Sequence, residues 1–216
     1  MSTAEPLALE FQELLRQTRL VPVITIHDVD AAIGLATALR DGGLPVLEVT
    51  LRTKAGLASI ERIANEVPDV VVGAGTVLSA QQYRNARDAG AEFIVSPGCT
   101  DALLRAAASE GGAFLPGAVS ATEVMKLLDC DISLLKFFPA ESSGGIAAVK
   151  ALGGPFPNVT FCPTGGIDLA RAKDYLALAN VACVGGSWMV PLDLIEQGDW
   201  AQITRLASEA STALRS

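Results

Sequence analysis

One structural unit recurs along the whole chain: a short apolar run rich in β-branched residues, a loop, and then a helical stretch. Strands that alternate with helices are expected to pair in parallel, because each helix returns the chain to the same end of the sheet. Eight such repeats predict a (β/α)8 barrel, also called a TIM barrel. The strand candidates are Val21–Ile26, Val46–Leu51, Val70–Ala74, Phe93–Ser96, Ala113–Pro116, Leu134–Phe138, Val159–Cys162 and Val181–Val184.

The segments around these strands add detail to the predicted barrel. Ser79 and Thr100 each precede a helical stretch and carry a hydroxyl that can cap its first turn. An additional helical stretch at Leu7–Thr18 comes before the first strand and is expected to cover the bottom of the barrel. No proline- or serine-rich linker divides the chain, so residues 1–216 are predicted to form a single domain.

An open, doubly wound sheet is the alternative architecture. That fold places a glycine-rich turn after its first strand, whereas this chain has Ile26-His27-Asp28 there. The glycine pairs come instead after the seventh and eighth strands, at Gly165-Gly166 and Gly185-Gly186. Barrels commonly bind phosphate at those two loops, so the glycine positions favour the barrel.

The composition excludes several kinds of binding partner and site for this protein. The 216-residue chain has a net charge of −8 and a pI of about 4.7, so its surface is expected to repel nucleic acid. No apolar run reaches the roughly 18 residues of a membrane span, and residues 1–10 lack the basic start of a signal peptide. Four cysteines without a CxxC pair indicate free thiols in a cytoplasmic protein, and the single histidine, His27, excludes a histidine-rich metal site.

Two predicted strands contain ionisable residues. Burial of such residues inside a barrel costs free energy, so we expect them to have a function. In the second strand Glu48, Thr50 and Arg52 are spaced by two, so they are expected to share the face that points into the barrel. In the sixth strand Lys136 stands alone among apolar neighbours.

These residues allow a structural and a chemical interpretation. Lys136 could be the structural partner of Glu48 or extend to solvent, or it could be a desolvated amine that attacks a carbonyl. Glu48 could be its counter-ion or a general base. The glycine pairs could simply make tight turns, or their amides could cradle a phosphate. The residues alone leave these alternatives open.

Six segments together resemble the 2-keto-3-deoxy-6-phosphogluconate (KDPG) aldolase family, whose bifunctional members also act on 4-hydroxy-2-oxoglutarate (KHG). They span nearly the whole chain in the order of that family, which makes the set far more specific than any one motif. The segments are Leu47-Glu48-Val49-Thr50-Leu51-Arg52-Thr53, Val72-Gly73-Ala74-Gly75-Thr76-Val77-Leu78, Ser96-Pro97-Gly98, Lys136-Phe137-Phe138-Pro139-Ala140-Glu141, Phe161-Cys162-Pro163-Thr164-Gly165-Gly166-Ile167 and Gly185-Gly186-Ser187-Trp188.

The resemblance implies a role for each matching residue. Lys136 would form a Schiff base with the substrate, and Glu48 would be the base that shuttles protons. The substrate-binding positions would be Arg52, Thr76 and Thr164 for the carboxylate of the pyruvyl part, Gly165, Gly166, Gly186 and Ser187 for the phosphate, and Pro97 for the pocket wall.

The resemblance further implies a cytoplasmic homotrimer that needs no metal or cofactor and cleaves KDPG to pyruvate and glyceraldehyde 3-phosphate, the aldol step of the Entner–Doudoroff pathway. Its small-molecule partners would be a phosphorylated 2-keto acid and pyruvate. Alternatives remain: an aldolase for KHG or for the galactonate-derived epimer, a phosphosugar isomerase or epimerase, and a phosphosugar-binding barrel without lyase activity.

Overall fold

Eight strands alternate with helices along residues 4–215, the part of the chain that the computed structural model describes (only the backbone for residues 4–9). The strands are β1 (Leu20–Ile24), β2 (Val46–Thr50), β3 (Val71–Gly75), β4 (Phe93–Val95), β5 (Ala113–Leu115), β6 (Leu134–Phe137), β7 (Thr160–Pro163) and β8 (Val184–Gly186). The helices are α1 (Ala4–Thr18), α2 (Ala31–Asp41), α3 (Gly56–Glu66), α4 (Ala80–Asp88), α5 (Asp101–Glu110), α6 (Ala121–Leu128), α7 (Gly145–Leu152), α8 (Leu169–Leu176), α9 (Leu192–Gln197) and α10 (Trp200–Arg215).

The strands form a curled parallel sheet of the (β/α)8 type. Six of them pair in the order β5-β4-β3-β2-β1-β8, and β6 pairs with β7. Single bridges, such as Gly117 to Lys136 and Thr164 to Gly185, join these two groups on either side. Strands that are neighbours in the chain are therefore neighbours in space, and β1 lies beside both β2 and β8. The doubly wound alternative is wrong, because its strand order reverses direction beside the first strand.

Several local predictions are confirmed. The Ser79 hydroxyl accepts a hydrogen bond from the Gln82 amide at 3.2 Å, and the Thr100 hydroxyl accepts one from the Leu103 amide at 3.3 Å. The eighth strand begins three residues later than predicted and ends two residues later. Val181 makes only an isolated bridge to β7, whereas Gly185 and Gly186 pair with β1. Glycine carries no side-chain signal for a strand, which is why this boundary was placed too early.

Alternation along the strands separates two apolar layers. Residues such as Leu47 and Leu135 face the helices and belong to the larger cluster of buried side chains. Val46 and Leu134 belong to a second cluster inside the curl of the sheet. Phe11 of α1 also joins this inner cluster, and its ring centroid lies 4.8 Å from that of Phe93. Period-two geometry then places the residues two positions after Val46 and Leu134, which are Glu48 and Lys136, on the inner face.

The part of the chain that the structure describes contains neither a membrane-spanning helix nor a cluster suited to a metal ion. None of the helices in that part of the chain is both long and apolar enough to cross a membrane. The side chains of residues 10–215 form no cluster of three or more His, Cys, Asp or Glu residues arranged to hold a metal ion.

Candidate active site

A buried ion pair between Lys136 and Glu48 occupies the interior of the sheet. The Lys136 Nζ lies 3.0 Å from Glu48 Oε1 and 3.4 Å from Oε2. Lys136 is 5% exposed and Glu48 is 3% exposed, so both charges have lost nearly all of their hydration. A buried pair of this kind is weak evidence for stability, because desolvation can exceed the Coulombic gain. Its position therefore favours a chemical role.

The strand order determines the direction in which these two side chains point. In the curled sheet β2 and β6 are separated by three strands on each side: β3, β4 and β5 on one, and β1, β8 and β7 on the other. Side chains from strands so far apart can meet only by crossing the interior. The prediction that the polar face of β2 points inward is thus confirmed for Glu48, and Lys136 reaches inward to meet it.

A hydrogen-bonded threonine follows Glu48 on β2, and an aromatic ring lies near the Lys136 amine. The Thr50 hydroxyl donates to the Ile24 carbonyl at 2.9 Å and lies 3.1 Å from the hydroxyl of Thr25. The Phe138 ring lies with its centroid 5.1 Å from the Lys136 Nζ, within range of a cation–π interaction. One side of the amine is therefore covered by an aromatic face while the other meets a carboxylate.

Glycines in the neighbouring strands provide the room for the buried carboxylate and for Thr164. A Cβ atom on Gly75 of β3 would overlap Glu48 Oε1, and one on Gly185 of β8 would overlap the Thr164 hydroxyl. Any larger residue at either position would displace a polar side chain, since close-packed interiors have no spare volume. Glycine is thus required at both positions because a side chain would not fit, and not because of the backbone conformation.

The three residues predicted to bind a carboxylate lie at different depths. Thr164 is 5% exposed at the end of β7, next to Gly185. Thr76 follows β3 and is half-buried, with a φ of 58° that is unusual for a β-branched residue. Such backbone strain often accompanies functional positions. Arg52 is exposed, and its side chain has no hydrogen bond or ion pair with residues 10–215.

β2 is shorter than the spacing of Glu48, Thr50 and Arg52 predicts, because Arg52 lies outside the strand. The strand ends at Thr50, the chain turns, and α3 begins at Gly56. The turn is held by the Thr53 hydroxyl, which donates to the Ile26 carbonyl. Arg52 therefore stands at the rim of the sheet, beyond the end of the strand that carries Glu48, with its guanidinium group unpaired.

The two glycine loops predicted to bind phosphate lie side by side. Gly165 and Gly166 follow β7 with φ values of 105° and 77°, a conformation that favours glycine. The bridge from Thr164 to Gly185 brings this loop next to the end of β8, where Gly186 precedes the exposed Ser187.

Unpaired amides accompany these loops. The backbone amides of Gly166, Ile167 and Ser187 donate no hydrogen bond to any residue in the described part of the chain. Asp168 caps α8 directly after the first loop by accepting from the Arg171 amide. Unpaired amides near a helix start are suited to bind an anion.

Pro97 lies on the opposite side of the amine from these loops. It follows β4 and is half-buried, and Gly117 packs so closely on it that an added Cβ would overlap the Pro97 carbonyl. Gly117 in turn forms the bridge to Lys136. Gly117 thus lies between Pro97 and β6, the strand that carries Lys136.

Some residues near the site were not singled out from the sequence. Phe138 could have been, because it follows Lys136 by two residues and so shares its face. Glu141 and Tyr175 could not, since their contact joins residues 34 positions apart. His27, by contrast, is exposed in the loop between β1 and α2.

Comparison with known proteins decides the family. The family model for KDPG and KHG aldolase matches residues 11–206. This chain belongs to the KDPG and KHG aldolase family. A 2-dehydro-3-deoxy-phosphogluconate aldolase from Pseudoalteromonas atlantica is 52% identical over 199 residues, which cover 92% of this chain and 93% of that protein.

Solved structures of other family members share the fold. The KDPG aldolase of Legionella pneumophila, solved with pyruvate captured as a covalent carbinolamine intermediate, has a TM-score of 0.89 and 43% identity, covering 92% of this chain and 97% of that one. The Zymomonas mobilis enzyme, solved with 3-phosphoglycerate, has a TM-score of 0.89 and 46% identity, covering 94% of this chain and 96% of that one.

Proposed function

We propose that this chain is a class I aldolase that cleaves KDPG to pyruvate and glyceraldehyde 3-phosphate. The observation that carries the proposal is the Lys136 amine, buried inside the sheet and 3.0 Å from the carboxylate of Glu48. An amine in this setting can pass a proton to the carboxylate and become a nucleophile. Membership of the aldolase family supports this chemical interpretation over a purely structural ion pair.

The proposed reaction begins with the covalent step. Lys136 transfers a proton to Glu48, and the neutral amine adds to the C2 ketone of the substrate to give a carbinolamine. Loss of water, with a proton from Glu48, leaves a positively charged iminium. This group withdraws electrons from the neighbouring bond, the task that a metal ion performs in metal-dependent aldolases. The proposal therefore requires no metal or cofactor.

Carbon–carbon cleavage follows from the position of Glu48. The carboxylate takes the proton of the C4 hydroxyl, through a water molecule, and the C3–C4 bond breaks. The bonding electrons move into the iminium to form an enamine, and glyceraldehyde 3-phosphate leaves. Glu48 returns a proton to C3, and hydrolysis of the resulting iminium releases pyruvate and the free Lys136 amine. One carboxylate thus serves each proton transfer in turn.

The remaining predicted residues would hold the two ends of the substrate. We assign the carboxylate of the pyruvyl part to Arg52, Thr76 and Thr164, because a planar guanidinium can bind both carboxylate oxygens. Gly165, Gly166, Gly186 and Ser187 would bind the phosphate through amides and a hydroxyl, and Pro97 would form part of the pocket wall. Holding both ends would align the C3–C4 bond with the iminium.

The proposal extends to the organisation of the protein. Residues 1–216 would form one domain, a closed (β/α)8 barrel whose N-terminal end is covered by α1. The contacts of Gln12 and Arg16 with Thr160, at the start of β7, support that position of the helix. A homotrimer in the cytoplasm is also proposed, on the basis of the family resemblance. The four free cysteines agree with a reducing compartment.

A second candidate activity is cleavage of KHG, which the description of the matching family also names. The same lysine, carboxylate and arginine would serve this unphosphorylated acid. The two glycine loops favour a phosphorylated substrate, as they would have no phosphate to bind in KHG. We expect the highest kcat/KM for KDPG when it is compared with its C4 epimer and with KHG. A higher value for KHG would reverse the assignment.

Reductive trapping with pyruvate tests the proposed chemistry. Incubation with pyruvate and borohydride is expected to attach one three-carbon group to the chain, because reduction of the iminium makes the bond permanent. Peptide mapping by mass spectrometry should place this group on Lys136. Borohydride without pyruvate is the control. A protein that stays unmodified at saturating pyruvate would instead be a non-covalent phosphosugar-binding barrel or a different enzyme.

Replacement of Gly75 by alanine tests the geometry around Glu48. The added methyl group would overlap the Glu48 carboxylate and push it away from Lys136. We expect kcat/KM for KDPG to fall by about 100-fold, the scale of an ångström-sized misplacement of a reacting group. Gly98→Ala is the matched control, since an added Cβ there meets nothing within 4 Å. Equal activity of the two variants would contradict the proposed role of Glu48.

A further inference from the structure

A polar network lies directly behind the Gly165-Gly166 loop. The Tyr175 hydroxyl of α8 donates to Glu141 Oε1 at 2.7 Å, and Arg171 Nε lies 3.1 Å from Glu141 Oε2. Both carboxylate oxygens of Glu141 are thus occupied by donors from one helix. Hydrogen bonds to an ionised group are shorter and stronger than neutral ones, so this network is a rigid connection.

The network is attached to the glycine loop by four contacts. The Ala140 amide donates to the Thr164 carbonyl at 2.8 Å, and the Glu141 amide donates to the Gly165 carbonyl at 3.2 Å. A Cβ on Gly166 would lie 2.9 Å from Glu141 Cγ, so the loop rests on that side chain. Arg171 Nη1 adds a 3.5 Å contact to the Gly166 carbonyl. Glu141 and its partner Arg171 therefore contact the loop directly.

The same segment is connected to the amine. Glu141 lies five residues after Lys136, in the turn that follows β6. Phe138, between them, has its ring 5.1 Å from the Lys136 Nζ and 3.3 Å from where a Cβ on Gly165 would be. One short stretch of chain thus contacts both the nucleophile and the glycine loop, and can set the distance between them.

The donors of the network remain in their required protonation state. Tyr175 is fully buried, and burial, followed by the hydrogen bond to the Glu141 carboxylate, raises the pKa of its phenol. The hydroxyl therefore keeps its proton and continues to donate. Arg171 is about half exposed, and it also approaches Asp168 at 3.5 Å, so its guanidinium group pairs with two carboxylates of the protein. The network holds the loop and is not itself a free cationic site.

We propose that Glu141, held by Tyr175 and Arg171, is a positioning residue that keeps the glycine loop at the correct distance from Lys136 for a phosphorylated 2-keto acid. This inference rests on the proposed function and adds a determinant of substrate class to it. Loosening the network would impair binding of the phosphate end and leave the chemistry at Lys136 intact. The effect would therefore be specific for phosphorylated substrates.

Tyr175→Phe tests the inference, because it removes one hydroxyl and leaves the ring in place. Tyr83→Phe is the matched control. Tyr83 lies on α4 and is also fully buried, and its hydroxyl donates to the Gly111 carbonyl, which follows α5. For Tyr175→Phe we expect KM for KDPG to rise about tenfold, equivalent to about 1.4 kcal/mol. The pyruvate concentration that gives half-maximal trapping should stay within about twofold of wild type, since pyruvate has no phosphate for the glycine loop to bind. Tyr83→Phe should change neither quantity.

The possible outcomes separate this inference from the proposed function. A wild-type protein that neither traps pyruvate nor cleaves KDPG overturns the proposed function and this inference with it. A functional wild type with an unchanged KM in Tyr175→Phe overturns the inference alone, as does an equal loss in pyruvate trapping or in Tyr83→Phe. Glu141→Gln gives a second test, because it keeps the acceptor for Tyr175 but removes the charge that pairs with Arg171. It should also raise KM for KDPG selectively, and an equal effect on pyruvate would contradict the inference.

Discussion

Replacement of Lys136 by alanine is expected to abolish labelling by pyruvate and borohydride and to lower kcat/KM for KDPG by at least about 10⁴-fold, a loss typical of a missing nucleophile. The physical reason is that the other lysines in the described part of the chain are exposed, so none of them places an amine inside the sheet. Lys136 is the residue whose Nζ meets the Glu48 carboxylate inside the sheet. Labelling by mass spectrometry and steady-state kinetics provide the two measurements.

Controls for this variant must separate chemistry from folding. Removal of Lys136 leaves the Glu48 carboxylate without its cation in a site that is 3% exposed. An uncompensated buried charge can cost about 3–5 kcal/mol, so the variant's free energy of unfolding has to be measured as well. Lys136→Arg keeps a positive charge but provides no nucleophile, and it should be equally inactive. Lys150→Ala, at an exposed position of α7, should keep full activity. Labelling of Lys136→Ala at the wild-type level would refute the assignment.

Replacement of Glu48 by glutamine is expected to slow cleavage of KDPG by about 10²–10⁴-fold, the usual contribution of a positioned acid or base. Glutamine preserves the size of the side chain and an oxygen that can accept a hydrogen bond from Lys136. It cannot take the proton of the C4 hydroxyl, so bond cleavage should suffer most. Trapping of pyruvate should continue at a reduced rate, because the nucleophile is still present.

A surface carboxylate offers the control for this second variant. Glu66, on α3, pairs with Arg62 at 3.0 Å and is exposed, so Glu66→Gln should retain wild-type kinetics. Single-turnover measurements can separate formation of the iminium from cleavage of the bond. Unchanged turnover in Glu48→Gln would remove this residue from the proton transfers and leave it as a structural counter-ion.

The alternation of strands with helices and the inner face of the sheet could be predicted because both depend on local information. Eight strand–helix repeats indicate a barrel, and alternation along a strand assigns each residue to one face. Glu48 is flanked by apolar Leu47 and Val49, which require burial against helices, so the carboxylate had to point inward. The same reasoning applied to Lys136 between Leu135 and Phe137.

Predictions of strand boundaries were wrong in two places: at the end of β2 and in β8, which consists largely of glycine. Spacing alone extended the inner face to Arg52, but the chain turns after Thr50. Strand ends depend on the pairing of neighbouring strands and on the packing of the next helix, which a period-two pattern does not contain. The eighth strand was displaced because the residues that pair with β1 include Gly185 and Gly186, which have no hydrophobic pattern.

The sequence by itself determined which residue types occupy each face of each strand, since that depends only on alternation and on the cost of burying polar groups. Tertiary structure alone decided which of those residues meet. Lys136 and Glu48 are 88 positions apart, and Tyr175 and Glu141 are 34 apart. These contacts exist because the sheet curls until β2 and β6 face each other and α8 packs beside the turn after β6, and no local pattern encodes that closure.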